Sequence, residues 1–572
     1  MTLQYKSERK MTMERSLTLY LLSSLAKVFP DGIYGEPLAG RQSLLANEEY
    51  SFQLALLPEG GGHFKFDLDL LVESPLADCI TVRRVVNVPS ELPAYEDADG
   101  DYLRKAPGLF PDALVPMTWP AVEAIPGRFT ALWVTVRPDG RFAAGRYPVG
   151  ITLANEELGI RECAEFELEL IGAALPEQEL LYTQWFHADC IASVHRTEVF
   201  GERHWELIGR YMETAAANGV NLLLTPIFTP PLDTQPGGER PTVQLVDVFS
   251  TPEGYRFGFE RLERWLTLAE QAGIHQFEFS HLFTQWGAEH APKIVALVNG
   301  EERRIFGWET AADSPEYAAF LRAFLPELRA FLQNRGIWES CWFHVSDEPG
   351  IAAIENYRRA AALLEECLPG AKRMDALSDL DFYREGLVPT PIAATTGIEP
   401  FLNAGVSPLW AYYCCSQGVD VSNRFFAMPS ARSRVIAAQL YKYDIRGFLH
   451  WGYNFYYTQY SREGIDPWLT TDAGCAFPSG DAFSVYPGED GPVESIRLKV
   501  FHEALQDLRA FRLLESLAGR EAVMAILEDG GKPITFSRYP RSERYVLGLR
   551  ERVNEMIRAL CAGTSESLKI HA

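Results

Sequence analysis

The sequence is short of positive charge. Its 572 residues hold 53 Lys and Arg against 77 Asp and Glu, a net charge of −24. A field of that sign repels phosphate backbones and anionic membrane surfaces, so no nucleic-acid or membrane partner is expected, and a neutral substrate such as a sugar suits it better. Also missing is any apolar run of ~18 residues, the length a membrane-spanning helix needs. Residues 17–25 imitate the core of a signal peptide. They run straight into Lys27, Phe29, Pro30 and Asp31 with no small-residue cleavage site, and read instead as a first β-strand. Cysteine is sparse and odd in number. Its nine copies form no CxxC pair and no Cys/His cluster with zinc spacing, which favours a reducing compartment and, by default, the cytoplasm. Adjacent Cys414 and Cys415 read as small residues on a strand. No GxGxxG follows the first strand of the α/β region, and there is no P-loop, no GxSxG elbow and no internal repeat.

What is present is enough apolar residue, 47%, to build a large core, with 23% charged residues. The length suggests two or three domains. Residues 1–172 read as β: runs at 51–57, 64–70, 80–88, 130–136, 147–153 and 166–170 alternate or cluster apolar residues between turn-forming stretches, the pattern of an antiparallel sandwich. Residues 91–120 read as one long loop. From 180 the rhythm changes to short apolar strands followed by amphipathic helices. Strands are expected at 181–186, 221–227, 275–282, 341–345, 372–377, 391–396, 408–415 and 447–454. Eight β-then-α units over this length predict a (β/α)8 barrel over 180–515; a doubly wound open sheet is the alternative. Helical patterns at 493–514 and 544–560 follow, the latter inside a C-terminal helical extension, 516–572.

Such a barrel carries its chemistry at the C-terminal ends of its strands. The fourth strand ends Trp342-Phe343-His344-Val345-Ser346-Asp347-Glu348-Pro349. Alternation sends Trp342, His344, Ser346 and Glu348 inward. Asp347 then faces outward, unless a twist before Pro349 brings both carboxylates over the barrel mouth. Two confined acids resist simultaneous ionisation, so one can hold a proton while the other stays an anion, the division that glycosidic cleavage uses. The competing reading is an acid pair that caps the next helix. Aromatic residues crowd the seventh and eighth strands and their loops. Among them Tyr413, Trp451, Tyr453 and Tyr457 are candidates for stacking on a sugar ring, whereas Trp410, Tyr441, Tyr443 and Phe448 fit the core. Glu278 on the third strand is either a partner acid or a buried structural one. Asp375 on the fifth either touches substrate or caps a turn. His187 and His344 have no ligand-spaced partners, so no metal and no cofactor is expected.

These segments also carry a resemblance. Residues 342–349 (WFHVSDEP), 281–294 (HLFTQWGAEHAPKI), 409–414 (LWAYYC), 447–454 (GFLHWGYN), Gly480-Asp481 and 486–497 (YPGEDGPVESIR) look like glycoside hydrolase family 123 and the related domain of unknown function 4091. The likeness spans 180–515. Residues 85–89 and 110–112 resemble the β-sandwich that accompanies that barrel. The resemblance implies a retaining β-N-acetylgalactosaminidase in which the substrate's own acetamido oxygen attacks the anomeric carbon. It assigns Glu348 as general acid/base and Asp347 as the acid that orients the acetamido group. Trp286 and Arg497, within the quoted segments, join the aromatic and acidic candidates as expected substrate-binding residues. A small glycoside or oligosaccharide is the expected partner, and association with a second copy stays open. Two further readings also stay open: a glycosidase of other specificity pairing Glu348 with Glu278 or Asp375, and a catalytically silent carbohydrate-binding protein.

Overall fold

The computed structural model describes residues 15–570 apart from 39, 61–63, 118, 530 and 532. By compactness the chain forms two units: 1–87 with 114–175 and 542–572, and 88–113 with 176–541.

In the first unit the alternating runs make two five-stranded sheets. One takes in Ser16–Ser23, Tyr50–Glu59, Thr130–Val136 and Ile80–Ser90; the other is centred on Gly145–Asn155 between Ile160–Ile171 and Phe66–Glu73. Ser16–Ser23, Tyr50–Glu59, Thr130–Val136 and Ile80–Ser90 pair antiparallel in turn, as do Gly145–Asn155 and its two neighbours, whereas Gln42–Leu45 runs parallel to Ile160–Ile171. Period-two alternation points Leu54, Leu56, Leu132 and Val134 from one sheet, and Leu68, Ile151, Leu153 and Leu168 from the other, into one core. Residues 91–120 are not wholly loop: Gly108–Pro116 is a strand and Ala121–Ala124 follows it. Pro111 and Asp112 inside Gly108–Pro116 hid that strand.

In the second unit eight parallel strands form the barrel. Around the sheet they run Leu181–Gln184, Gly447–His450, Trp410–Tyr412, Thr390–Ala394, Lys372–Leu377, Cys341–Phe343, Gln276–Phe279 and Leu222–Thr225. The Asn221 N–H donates to the Tyr182 carbonyl at 3.1 Å, linking the last strand back to the first. Inward side chains such as Leu222, Leu224, Met374, Ile392, Trp410 and Tyr412 fill the interior. Gly447 permits this filling: a Cβ there would lie 2.0 Å from a Trp410 ring carbon.

The helices follow from local sequence. Ser314 caps Pro315–Asn334 by accepting the Tyr317 N–H, and Pro315 occupies the first turn, where it costs no hydrogen bond. Ile496–Ala518 begins after position 493 because Pro492–Glu494 pairs with Val485–Pro487, and Ser495 then caps the helix. A small four-stranded sheet, Gly254–Gly258, Asp247–Thr251, Ile294–Val298 and Glu301–Phe306, grows from the loops after the second and third barrel strands. The last described element is the helix Glu543–Ile570.

Candidate active site

At the strand ends lies a cavity of about 200 Å³. Asp347 and Glu348 both line it. The alternation that should separate them is broken at Glu348, whose φ of 43° is left-handed. Two backbone bonds pin the pair: the Trp286 N–H donates to the Asp347 carbonyl at 2.8 Å, and the Glu348 N–H donates to the Ala376 carbonyl at 3.1 Å. Such a conformation costs on the order of 1–3 kcal/mol and persists only where the surroundings impose it. Trp286, Tyr460 and Asp233, also on the cavity wall, have positive φ as well.

The Tyr412 hydroxyl donates to Glu348 Oε1. Asp347 is half-buried but closely surrounded by protein atoms. Burial, and then the neighbouring charge of Glu348, hold its carboxyl well above the usual range. Asp347 therefore holds a proton more tightly than a free carboxyl would.

Beneath the pair, His344 is fully buried between two acids. Its Nδ1 lies 3.0 Å from Asp375 and its Nε2 3.0 Å from Glu278. Burial works against an imidazolium, but the two flanking acids overcome it and push His344 up to about 10. Asp375 also accepts from the Val345 and Ser346 N–H groups and from the Tyr357 hydroxyl. Burial raises its carboxyl and these donors offset part of the rise. Because every contact on it is a donor, the ionised form fits the geometry. Asp375 thus fixes the two residues that lead into Asp347.

Spacing along the sequence concealed this cluster. His281, His344 and Asp375 bring ligand atoms within 4.8 Å of one another. The two imidazoles are stacked, with centroids 4.3 Å apart and planes 25° off parallel, so their in-plane lone pairs do not converge on one ion.

Of the other expected substrate-binding residues, Trp451 and Trp286 line the cavity. Trp451 is held by its indole N–H, which donates to Asp481 at 2.8 Å; burial pushes Asp481 up to about 7. Glu278 and Asp375 do not line it, being spent on His344. Arg497 is buried with its donors used on Asp112 and on the Gly480 and Phe483 carbonyls. Tyr453 stacks on Phe186 and donates to the Tyr211 carbonyl. Tyr413 packs against Phe448 and His450. Tyr457 donates to Asp189, in a buried pair with Arg240. These four shape the barrel rather than the cavity.

Several lining residues were not singled out from sequence. Asp233 follows the second strand, and its carboxyl is pushed up to about 6, chiefly by burial. Tyr412 closes the seventh strand one residue before Tyr413, which puts it on the opposite face, toward the cavity. Trp185 Nε1 and Gln285 Nε2 are buried donors on the wall that lack a protein partner. Cys414 and Cys415 lie just past the seventh strand, on the cavity wall rather than within the strand. A larger cleft of about 330 Å³, lined by Glu289, His290, Asp313 and Arg359 among others, has no paired acids at a strand end.

The arrangement offers adjacent acids, aromatic walls and unpaired donors, a set suited to a sugar ring. Sequence comparison with curated proteins finds no match. Among solved structures, a family 123 glycoside hydrolase from Clostridium perfringens, studied for glycolipid glycan hydrolysis, superposes with a TM-score of 0.72. It is 13% identical and covers 97% of this chain and 100% of its own, a likeness of fold. A β-glucuronidase from Parabacteroides merdae (TM-score 0.26, 11% identity, 77% of this chain and 47% of its own) and an endo-β-1,4-mannanase from Thermotoga petrophila (0.33, 14%, 58% and 77%) overlap too partially to bear on it. The sequence pattern of the glycoside hydrolase 123 catalytic domain matches residues 185–514, more than half of the chain. The chain belongs to glycoside hydrolase family 123, and is an enzyme that acts on a carbohydrate.

Proposed function

We propose that this enzyme removes terminal β-N-acetylgalactosamine with retention of configuration, using the acetamido group of the substrate as nucleophile. The observation that carries the reading is the adjacency of Asp347 and Glu348 on one cavity wall, with Glu278 and Asp375 withdrawn beneath it onto His344. A retaining enzyme with its own nucleophile sets two carboxyl groups about 5–5.5 Å apart across the bond, and an inverting one about 6.5–9.5 Å. Neighbours in sequence suit neither task well. They suit a reaction in which only one acid serves the glycosidic oxygen.

In this mechanism Glu348 protonates the leaving oxygen while the acetamido oxygen attacks the anomeric carbon. Asp347 accepts the acetamido N–H and offsets the positive charge of the oxazolinium as it forms. The N–H of the bound sugar favours the Asp347 anion, which leaves the shared proton to Glu348. Water then opens the oxazolinium, with Glu348 now taking its proton. The Tyr412 hydroxyl steadies Glu348. Trp451 and Trp286 supply faces for sugar rings, and Asp233, Gln285 and Trp185 offer polar atoms to hydroxyls. The volume lies below the ~300–1,000 Å³ of larger ligand pockets, which suits one buried sugar unit.

The test is a panel of aryl β-glycosides of N-acetylgalactosamine, N-acetylglucosamine and galactose. Turnover should be confined to acetamido sugars and be fastest on the galactosaminide. Hydrolysis of the plain galactoside at a comparable rate would end the substrate-assisted reading, and would favour Asp233 as a second working acid on the same wall.

A further inference from the structure

Gly480-Asp481, one of the segments that carry the family likeness, takes no part in the proposed mechanism. It packs just past the end of the eighth barrel strand. Gly480 has a left-handed φ of 101°, and a Cβ there would lie 2.9 Å from the Phe426 ring and 3.1 Å from the Arg424 carbonyl oxygen, so glycine lets the chain pass. Asp481, fully buried, then accepts the Trp451 indole N–H on Oδ2 at 2.8 Å. His450 steadies the carboxyl group from the other side. Its Nδ1 accepts from Arg424 and from the Gly452 N–H, so Nε2 carries the ring proton and faces Asp481 Oδ1, 3.5 Å away.

The main chain at Trp451 is fixed without help from the indole. Its carbonyl accepts from His187 Nε2 at 3.0 Å. Arg424 donates to the Gly452 and Asp481 carbonyls and draws the two segments together. They lie so close that a Cβ at Gly452 would stand 2.3 Å from the Ala482 carbonyl oxygen. With the backbone settled, the rotation of the Trp451 side chain is what remains to be chosen. Phe455 and Phe477 meet the ring at 60° and 80°, with centroids 4.9 and 5.4 Å away, but the bond to Asp481 is the directional contact.

We propose that Asp481 is a positioning residue for sugar binding: by accepting the indole N–H it holds the Trp451 ring in the orientation that lines the cavity. This rests on the reading of Trp451 as a face for a sugar ring. A ring already held in place loses no rotamer freedom when the sugar arrives, so the gain falls on binding and not on the chemical step.

The test is a double-mutant cycle on KM, read on whichever aryl glycoside is hydrolysed, with each variant of the full chain first checked for a cooperative melt. Asp481→Ala should raise KM about fivefold or more and change kcat by less than about twofold. Trp451→Phe keeps a ring but has no N–H, and should raise KM by a similar factor. Adding Asp481→Ala to Trp451→Phe should raise it no further, because no N–H remains to be held. Factors that multiply in the double variant, or a loss confined to kcat, would overturn the proposal. Wild type gives a second readout. With nitrogen-15-labelled tryptophan, the Trp451 indole N–H resonance, identified by its loss in Trp451→Phe, should lie downfield and be protected from exchange with solvent. A freely exchanging Trp451 indole proton would overturn the proposal even if no Asp481 variant folds. Trp451→Ala separates this inference from the reading beneath it. An unchanged KM there removes the sugar face and the positioning role together; a raised KM there beside an unchanged KM in Asp481→Ala removes the positioning role alone. Neither outcome depends on which sugar is cleaved.

Discussion

At Glu348 a single dihedral decides what the fourth strand presents. In the proposed mechanism Glu348→Gln removes the proton donor, with an expected loss of ~10²–10⁴ in rate on natural glycosides. The loss should be smaller in the first step for aryl substrates with good leaving groups, and equal small losses on every substrate would contradict the role. Asp347→Asn keeps shape but not charge. A fall in kcat of ~10²-fold or more, exceeding any rise in KM, is expected, because the interaction grows in the transition state. Stability should respond the other way. A carboxyl raised in the folded state binds more protons there than when unfolded, so it costs stability as pH rises above its unfolded value. The Asn variant should therefore melt no lower than wild type at pH 7, and its relative advantage should grow from pH 5 to pH 8. A clearly lower melting temperature with normal turnover would instead mean that Asp347 only caps a helix. The two acids were legible in the sequence as a strand-end pair. The left-handed Glu348 was not, because nothing in its residue type announces it and the bonds that impose it come from residues 286 and 376.

At the scale of elements, the end of the fourth strand hangs from Asp375. Asp375 touches the backbone of residues 345 and 346, not the cavity, and is a positioning residue. Asp375→Asn leaves the buried imidazolium of His344 with one acid partner, and a loss of about 3–5 kcal/mol is expected for breaking a buried pair. Chemical denaturation checks that figure. Its catalytic signature should be a lower kcat with an altered pH profile, since the variant disturbs how the acid pair shares its proton; an unchanged profile would mark the effect as purely structural. All eight barrel strands were legible, because strands buried on both faces read as short apolar runs between amphipathic helices. The four-stranded side sheet and the strand Gly108–Pro116 were not: the former is two hairpins rich in charged and turn-forming residues inserted in barrel loops, and the latter carries Pro111 and Asp112 within an edge strand. Trp451 and Trp286 line the cavity, but Tyr413, Tyr453 and Tyr457 do not, for a related reason. Ring-bearing residues fill a barrel's core as readily as its mouth, and sequence alone does not tell Tyr413, Tyr453 and Tyr457 from Tyr412.

For the whole molecule, the buried titratable groups set a stability optimum. His344 is pushed up to about 10, and its contribution is complete below the unfolded histidine value and is lost as pH rises through 10. Asp233 at about 6, and Asp481 and Glu551 at about 7, also bind more protons when folded, so they too weaken the fold as pH rises from the ordinary carboxylate range to their own values. Opposing them, His187 is lowered to about 3, and burial holds His281 and His450 well below their usual value. Each costs stability as pH falls below ~6.5, where the unfolded form takes up a proton. Thermal melts across pH 4–10 should therefore peak at about pH 6 and decline on both sides; a maximum at pH 9 would contradict the buried imidazolium. Among the described residues no helix is long and apolar enough to cross a membrane.

The buried trio under the active site has a further consequence, for which sugars are admitted. His344 lies between two acids, Glu278 and Asp375, so the floor beneath the cavity holds two acids to one imidazole and leans negative. The acid pair above adds to that lean. Because the trio itself is buried, its potential is little screened by salt. It favours a positive charge growing at the anomeric centre and opposes any substrate that brings its own negative charge, so uronic acids and sulfated or sialylated sugars should be refused at low and high ionic strength alike.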